Sequence, residues 1–326
     1  MKRRALLVAS GAWLAVAAAR SFGQTGSPLR RIAFVHPGTQ ASYQSLFGIF
    51  RTALKDLGYV EGRDILIDSR WAEDKTERLT SLASEAVASK PVVIVTASSA
   101  GVAACKKATS SVPIVFATVF SPVEQGFVAS LPRPGGNVTG VIVYAGLSRK
   151  IVEIVREALP TAKRLAMMVH DTDPAHRFAL DLFEPTARSF NFDPILVRVA
   201  RAEDLDRAFS ELINRRVDVL FLPNLVFFSS QRKQLAERAL KARIPLVSTS
   251  GLNTESGGLL SYGTPSEENY RRAAAIVDKI LRGAKPGELA IEQPEKFELA
   301  VNLKTAKAIG VKLSPTTMLR ATKVIE

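Results

Sequence analysis

The sequence predicts an α/β protein of two lobes, each a parallel sheet covered by helices on both faces. Three observations carry this. Short apolar runs alternate with amphipathic stretches of helical period along almost the whole chain. The alternation breaks once, at Pro132-Arg133-Pro134-Gly135-Gly136-Asn137, and then restarts. With 326 residues, 47% hydrophobic and 23% charged, the chain is long enough for two cores of about 150 residues each. Strands apolar on both faces and separated by amphipathic helices belong to sheets buried on both sides.

In order, Arg31 to Val35 reads as a buried strand, followed by a helix with Tyr43, Leu46, Phe47, Phe50, Leu54 and Leu57 on one face and Gly58 as its stop. Strand 64–68, helix 76–89, strand 92–95, helix 100–109, strand 114–117 and helix 123–130 continue the pattern. After the break come strand 138–143, helix 148–159 closed by Pro160, strand 165–169, helix 175–190, strand 195–199, helix 203–213, strand 217–222, helix 228–242 and strand 245–248. Hinges are expected near 141–147 and 247–251, because helix 266–283 and the tail 284–326 must divide between the lobes. Residues 29–142 plus about 250–283 are expected in the first lobe, and 143–249 plus about 284–326 in the second.

The N-terminus predicts an address. Lys2-Arg3-Arg4 precedes an apolar stretch from Ala5 to Ala19, and Ala17 and Ala19 are the small residues a signal peptidase needs at −3 and −1. About 15 apolar residues are short for a span of roughly 20. Residues 1–19 therefore read as a cleavable signal peptide and 20–28 as a flexible leader. Arg3-Arg4 before Ala5-Leu6-Leu7 also resembles a twin-arginine signal. Export to the periplasm follows as the expectation.

Composition narrows the function. The net charge is +13, or +10 once residues 2–4 are set aside, but the cations are scattered pairs such as Lys106-Lys107 and Arg271-Arg272, with no run of five and no interleaved aromatics. A phosphate-tracking surface needs clustered cations, so nucleic acid is not an expected partner. One cysteine, Cys105, excludes an intramolecular disulfide and a paired-cysteine zinc site. No Gly-x-Ser-x-Gly, Gly-x-Gly-x-x-Gly or Walker-type pattern is present, and no cofactor is expected.

In sheets of this kind ligands sit beyond the carboxyl ends of the strands. That rule selects His36 to Gln40, Thr96 to Ser99 and Thr118 to Pro122 in the first lobe. In the second it selects His170 to Asp173, Pro223-Asn224 and Thr249-Ser250. Ser98 and Ser99 stand where a strand opens into a helix, so they are either plain N-caps or, with the free N–H groups of the first turn, a seat for a carboxylate. Ser121 is either a ligand contact or part of a turn rigidified by Pro122. Asn224 is either a contact or an Asx-type turn. Tyr262, flanked by Gly257-Gly258 and Gly263, either stacks on a ligand or packs in the core. Gln40 and Tyr43 open the first helix, each a candidate contact or a solvated position. His36 and His170 both end strands, but His-Glu-x-x-His is absent and no metal is expected.

Particular stretches resemble one family. Pro113 to Ala117, Ser121-Pro122-Val123, Gly126 to Gly140 with its Arg133-Pro134-Gly135-Gly136-Asn137-Val138-Thr139-Gly140 element, Leu222 to Phe228, Gly257 to Gly263, Val277 to Pro286 and Phe297 to Lys307 are similar to bacterial ABC transporter substrate-binding proteins of the tryptophan/tyrosine-binding type. The resemblance spans about residues 30–326. It implies a type I periplasmic binding fold, two Rossmann-like lobes joined by three crossovers, which captures a small amino acid-like or carboxylate ligand by hinge closure and presents it to a permease in the inner membrane. It also implies a monomer without enzymatic activity, with Ser98 holding the ligand carboxylate. The family commonly has Asp where this chain has Ser121 and Asn224; those carboxylates would pair with a ligand ammonium, so their loss favours a neutral or anionic ligand. A sensory receptor and an enzyme on the same scaffold are the rival readings, and a repressor would need a helix-turn-helix where the leader stands.

Overall fold

A computed structural model describes residues 29–143, 147–171 and 175–326. The expected signal peptide and leader, and Asp173, lie outside these residues. The first sheet contains β1 (Arg30–His36), β2 (Ile65–Trp71), β3 (Val93–Thr96), β4 (Ile114–Phe120) and β5 (Val138–Val143), interleaved with α1 (Gln40–Asp56), α2 (Leu79–Ala88) and α3 (Ser99–Ala108). Its strand order is β2-β1-β3-β4-β5 and every pairing is parallel. Alternation along β1 builds the two layers. Ile32 and Phe34 face the core under α1, with Phe50 and Leu54, while Ala33 and Val35 face the core under α2 and α3, with Leu79, Val102 and Cys105.

The helices begin where their caps require. Thr39 Oγ1 accepts the Ser42 N–H at the start of α1, and the buried face Tyr43, Leu46, Phe50, Leu54 runs at helical spacing to Leu57 and Gly58.

The second half supplies α4 (Leu147–Ala158), β6 (Arg164–His170), α5 (Ala175–Ser189), β7 (Asp193–Val199), α6 (Leu205–Asn214), β8 (Val219–Leu222), α7 (Val226–Ser230), α8 (Arg232–Ala242), β9 (Leu246–Ser248), α9 (Gly251–Glu255) and β10 (Leu260–Gly263). After α10 (Ser266–Leu281) follow β11 (Glu298–Asn302), α11 (Leu303–Ile309), α12 (Pro315–Arg320) and β12 (Lys323–Ile325). The second sheet runs β12-β11-β10-β9-β8-β6-β7 and is parallel except where β10 meets β11.

Three local expectations differ from the structure. Residues 123–130 form turns rather than a helix. Ser121 and Gly126 both have positive φ, and the bonds Gln125 N–H to Ser121 O and Phe127 N–H to Pro122 O close turns that Gly126 ends. The helix expected over 228–242 is two, α7 and α8, meeting at Gln231. Residues 250–263, expected with the first lobe, belong to the second sheet, because β10 pairs with both β9 and β11. The chain therefore crosses at Thr264-Pro265 rather than at 247–251. Beyond that crossing α10 lies on the first sheet, where Tyr270, Ala273, Ala274 and Val277 join the core of Phe34 and Phe50. Residues 287–292, expected with the second lobe, stay instead with the first, through Gly135 N–H donating to Gly287 O, Thr139 Oγ1 donating to Leu289 O and the Ile142 N–H donating to Glu292 O, before the chain returns to β11.

The Arg133 to Gly140 element has a structural reason. Asn137 ties its side-chain amide to Val112 O at 2.7 Å, which fixes the entry to β5. Gly140 has φ +155, and a Cβ there would come within 2.2 Å of Phe116 O.

Candidate functional site

The carboxyl ends of both sheets face one cavity. Its first-lobe wall is Ala97, Ser98 and Ser99 after β3, Thr118 to Phe120 at the end of β4, Tyr43 and Leu46 from α1, and Ser266 and Tyr270 from α10. The second-lobe wall is Pro223 to Val226 after β8, Ser229 from α7, Thr249 after β9 and Leu252 from α9; Val143 and Ser148 flank the first crossing. About 90 Å³ is open to the centres of water molecules, several times what one water needs.

The lobes meet over this cavity. Tyr43 Oη donates to Val226 O at 3.4 Å, Ser42 Oγ donates to Ser230 O at 3.4 Å, and Gln231 Nε2 donates to the Asp74 carboxylate at 3.2 Å. Each bond runs between the two lobes, so this is a closed arrangement.

The polar end of the cavity is the start of α3. Ser98 caps the helix, with Oγ accepting the Gly101 N–H at 3.3 Å and its own N–H held by Thr118 O at 3.0 Å. It does so at φ 82, ψ 157, a backbone conformation costly for a residue with a Cβ. Gly101 is required beneath it, because a Cβ there would meet Thr96 Oγ1 at 2.2 Å. The first N–H groups of α3 have no intrahelical acceptor and carry the positive end of the helix dipole. Across the cavity Thr249 Oγ1 accepts the Asn224 N–H at 3.1 Å and fixes the loop after β8.

None of the described lining residues is Asp, Glu, Lys, Arg or His. The two tyrosines keep their protons: burial pushes the Tyr43 and Tyr270 hydroxyls well above the usual phenol range. What the lining offers a ligand is hydroxyls, the Asn224 amide, helix N-termini including those of α3 and α10, and aliphatic and aromatic surface.

Of the residues singled out in the sequence, Ser98, Ser99 and Asn224 border the cavity, together with Tyr43, Thr118 and Thr249. Ser121, Tyr262 and Gln40 do not. Ser121, just past Phe120, lies in the turn before Pro122 at φ 45. Tyr262 stacks on Phe297, with ring centroids 5.8 Å apart, and packs on the second-lobe core. Gln40 is exposed at the first position of α1. His36 and His170 lie in separate surroundings, His36 against Tyr270 and His170 against Phe227. Among the described residues no three of His, Cys, Asp and Glu are grouped to hold a metal. Tyr270, Ser229 and Ser266 escaped the sequence reading. Ser266 and Tyr270 belong to α10, which the sequence offered only as a helix to be assigned to one lobe or the other, and only the crossing at Pro265 brings its first turns to the cavity.

Two α/β lobes closed over a cavity at their strand ends define a small-molecule binding protein. The chain belongs to the ABC transporter substrate-binding protein family, which it matches over residues 32–325. It is 28% identical over 262 residues to the tyrosine-binding protein of Clostridioides difficile strain R20291, covering 80% of this chain and 75% of that one. Its fold superposes on a conserved domain protein of Vibrio cholerae with a TM-score of 0.85, at 23% identity over 90% of this chain and 99% of the other. An ABC domain from Streptococcus pneumonia in complex with L-Trp gives 0.84, at 18% identity over 91% and 100%. Among the described residues no helix is long and apolar enough to cross a membrane.

Proposed function

We propose that the protein is an exported receptor that closes on a small aromatic or aryl-bearing carboxylate without an α-ammonium group and delivers it to an inner-membrane permease. The observation that carries the ligand class is the described lining: a helix N-terminus and hydroxyls at one end, apolar and aromatic surface elsewhere, and no carboxylate to pair with an ammonium. An ammonium buried there would lack a counter-charge, at a cost of several kcal/mol. A carboxylate at Ser98 and Ser99 would be met by N–H groups and the α3 dipole. Asn224 contacts the ligand from the other lobe, so binding couples to closure. Relatives named for tyrosine or complexed with L-Trp support the aromatic body. Family membership and the apolar stretch 5–19 support export to the periplasm.

A thermal-shift screen of the purified protein against amino acids, aromatic acids, dicarboxylates and nucleosides tests this. The expected result is a rise in melting temperature with aromatic acids that Ser98→Ala reduces. A response confined to α-amino acids would refute the ligand class.

A further inference from the structure

One buried hydrogen-bond chain behind the cavity fixes the polarity of a group inside it. His36 ends β1 with no solvent exposure. Its Nδ1 accepts the Gly38 N–H at 3.0 Å, so that nitrogen carries no proton. Burial holds the ring neutral, with a pKa lowered to about 3, and the one ring proton is then on Nε2. Nε2 lies 3.1 Å from Tyr270 Oη, so the ring donates and the phenol oxygen accepts. The geometry allows only Gly in the turn that supplies the first bond. A Cβ at Gly38 would lie 2.7 Å from the Tyr43 ring and 3.0 Å from Ser230 Oγ.

Tyr270 borders the cavity and retains its own proton. We infer that the Gly38–His36 chain leaves the Tyr270 O–H proton free to donate to the ligand, making Tyr270 a specificity-determining residue that favours an acceptor oxygen and His36 its positioning residue. This deepens the proposed function and rests on the cavity being the ligand site. A ligand donor placed against Tyr270 would compete with the His36 Nε2–H for the phenol oxygen and leave the Tyr270 proton without an acceptor from the ligand. The inference stands on the two bonds and the burial of His36, and it predicts discrimination on a wall of the cavity formed by α10 rather than α3.

Two readouts test it. Nitrogen-15 NMR of the imidazoles in the intact protein, with the His36 signals identified by their loss in His36→Gln, should show Nε2 protonated and Nδ1 bare from about pH 5 to 8. The opposite tautomer would overturn the inference. Titration calorimetry with 3-phenylpropionate and 3-phenylpropylamine as probes should then show Tyr270→Phe weakening the acid about tenfold while the melting temperature stays within a few degrees. Unchanged acid affinity would overturn it. If the amine alone binds, the proposed ligand class fails. The donor assignment then requires amine affinity to hold or improve in Tyr270→Phe, and a loss would refute it. If neither probe binds, the assignment of Tyr270 as a specificity-determining residue fails whatever the ring tautomer.

Discussion

Gln231, at the junction of α7 and α8, reaches across the cleft to Asp74, and its Nε2 donates to the carboxylate at 3.2 Å. Both ends are held by their own backbones, Gln231 by its N–H to Phe227 O and Asp74 by its N–H to Pro37 O, so the bond forms only when the lobes are together. It contributes about 1 kcal/mol to closure, since Asp74 is partly exposed. Gln231→Ala should shift the open–closed equilibrium about fivefold toward open. Small-angle scattering would register this as a larger radius of gyration, and an unchanged radius would show that the bond contributes nothing.

Ser98 separates capping from ligand binding. Its backbone is at φ 82, where glycine is at ease, so Ser98→Gly relieves strain while removing the hydroxyl. Glycine caps cost only a few tenths of a kcal/mol relative to serine. Thermal unfolding of Ser98→Gly should match or exceed wild type, and affinity for an aromatic carboxylate should fall about tenfold. Equal losses of stability and affinity would reduce Ser98 to a structural cap.

Gly101→Ala would force a methyl against Thr96 Oγ1 under the first turn of α3. Overpacking of this kind costs about 1–3 kcal/mol. Denaturant unfolding should show that loss, and Thr96→Ala should rescue part of it by removing the clashing atom. Failure of the rescue would place the strain elsewhere.

His36 makes stability depend on pH. Its pKa is about 3 in the fold, against 6.5 unperturbed, because burial disfavours the charged ring. Its stabilisation is complete above 6.5. Below that the unfolded chain takes up a proton the fold refuses, and stability falls toward pH 3 by up to about 1.4 kcal/mol per pH unit. Asp74 opposes this in a narrower window, since burial raises its pKa and the folded carboxyl protonates first. Melting curves should show a steeper loss for wild type than for His36→Gln between about pH 6.5 and 4. Parallel slopes would mean that His36 is not the group responsible.

The strand-end rule worked where a strand's exit is encoded locally. Ala97 to Ser99, Thr118 and Asn224 follow runs of apolar residues whose ends are visible, and they do reach the cavity. Of the two readings of Tyr262, core packing holds: the flanking glycines resemble a ligand loop, but β10 is an interior strand and its ring packs on Phe297. Tyr270 was invisible because its contribution depends on where the chain crosses between sheets, and periodicity carries no record of that. The turns at 123–130 were missed for a related reason. Their apolar spacing suits a helix, and Gly126 at φ 69 together with Ser121 at φ 45 overrides it.

The most direct measurement is a calorimetric comparison of L-phenylalanine with 3-phenylpropionate, two ligands that differ only in the ammonium group. The described lining has no acid to receive that charge, so the account predicts binding of the acid and at least tenfold weaker binding of the amino acid. Tighter binding of L-phenylalanine would contradict it and require a counter-charge that the described lining does not hold.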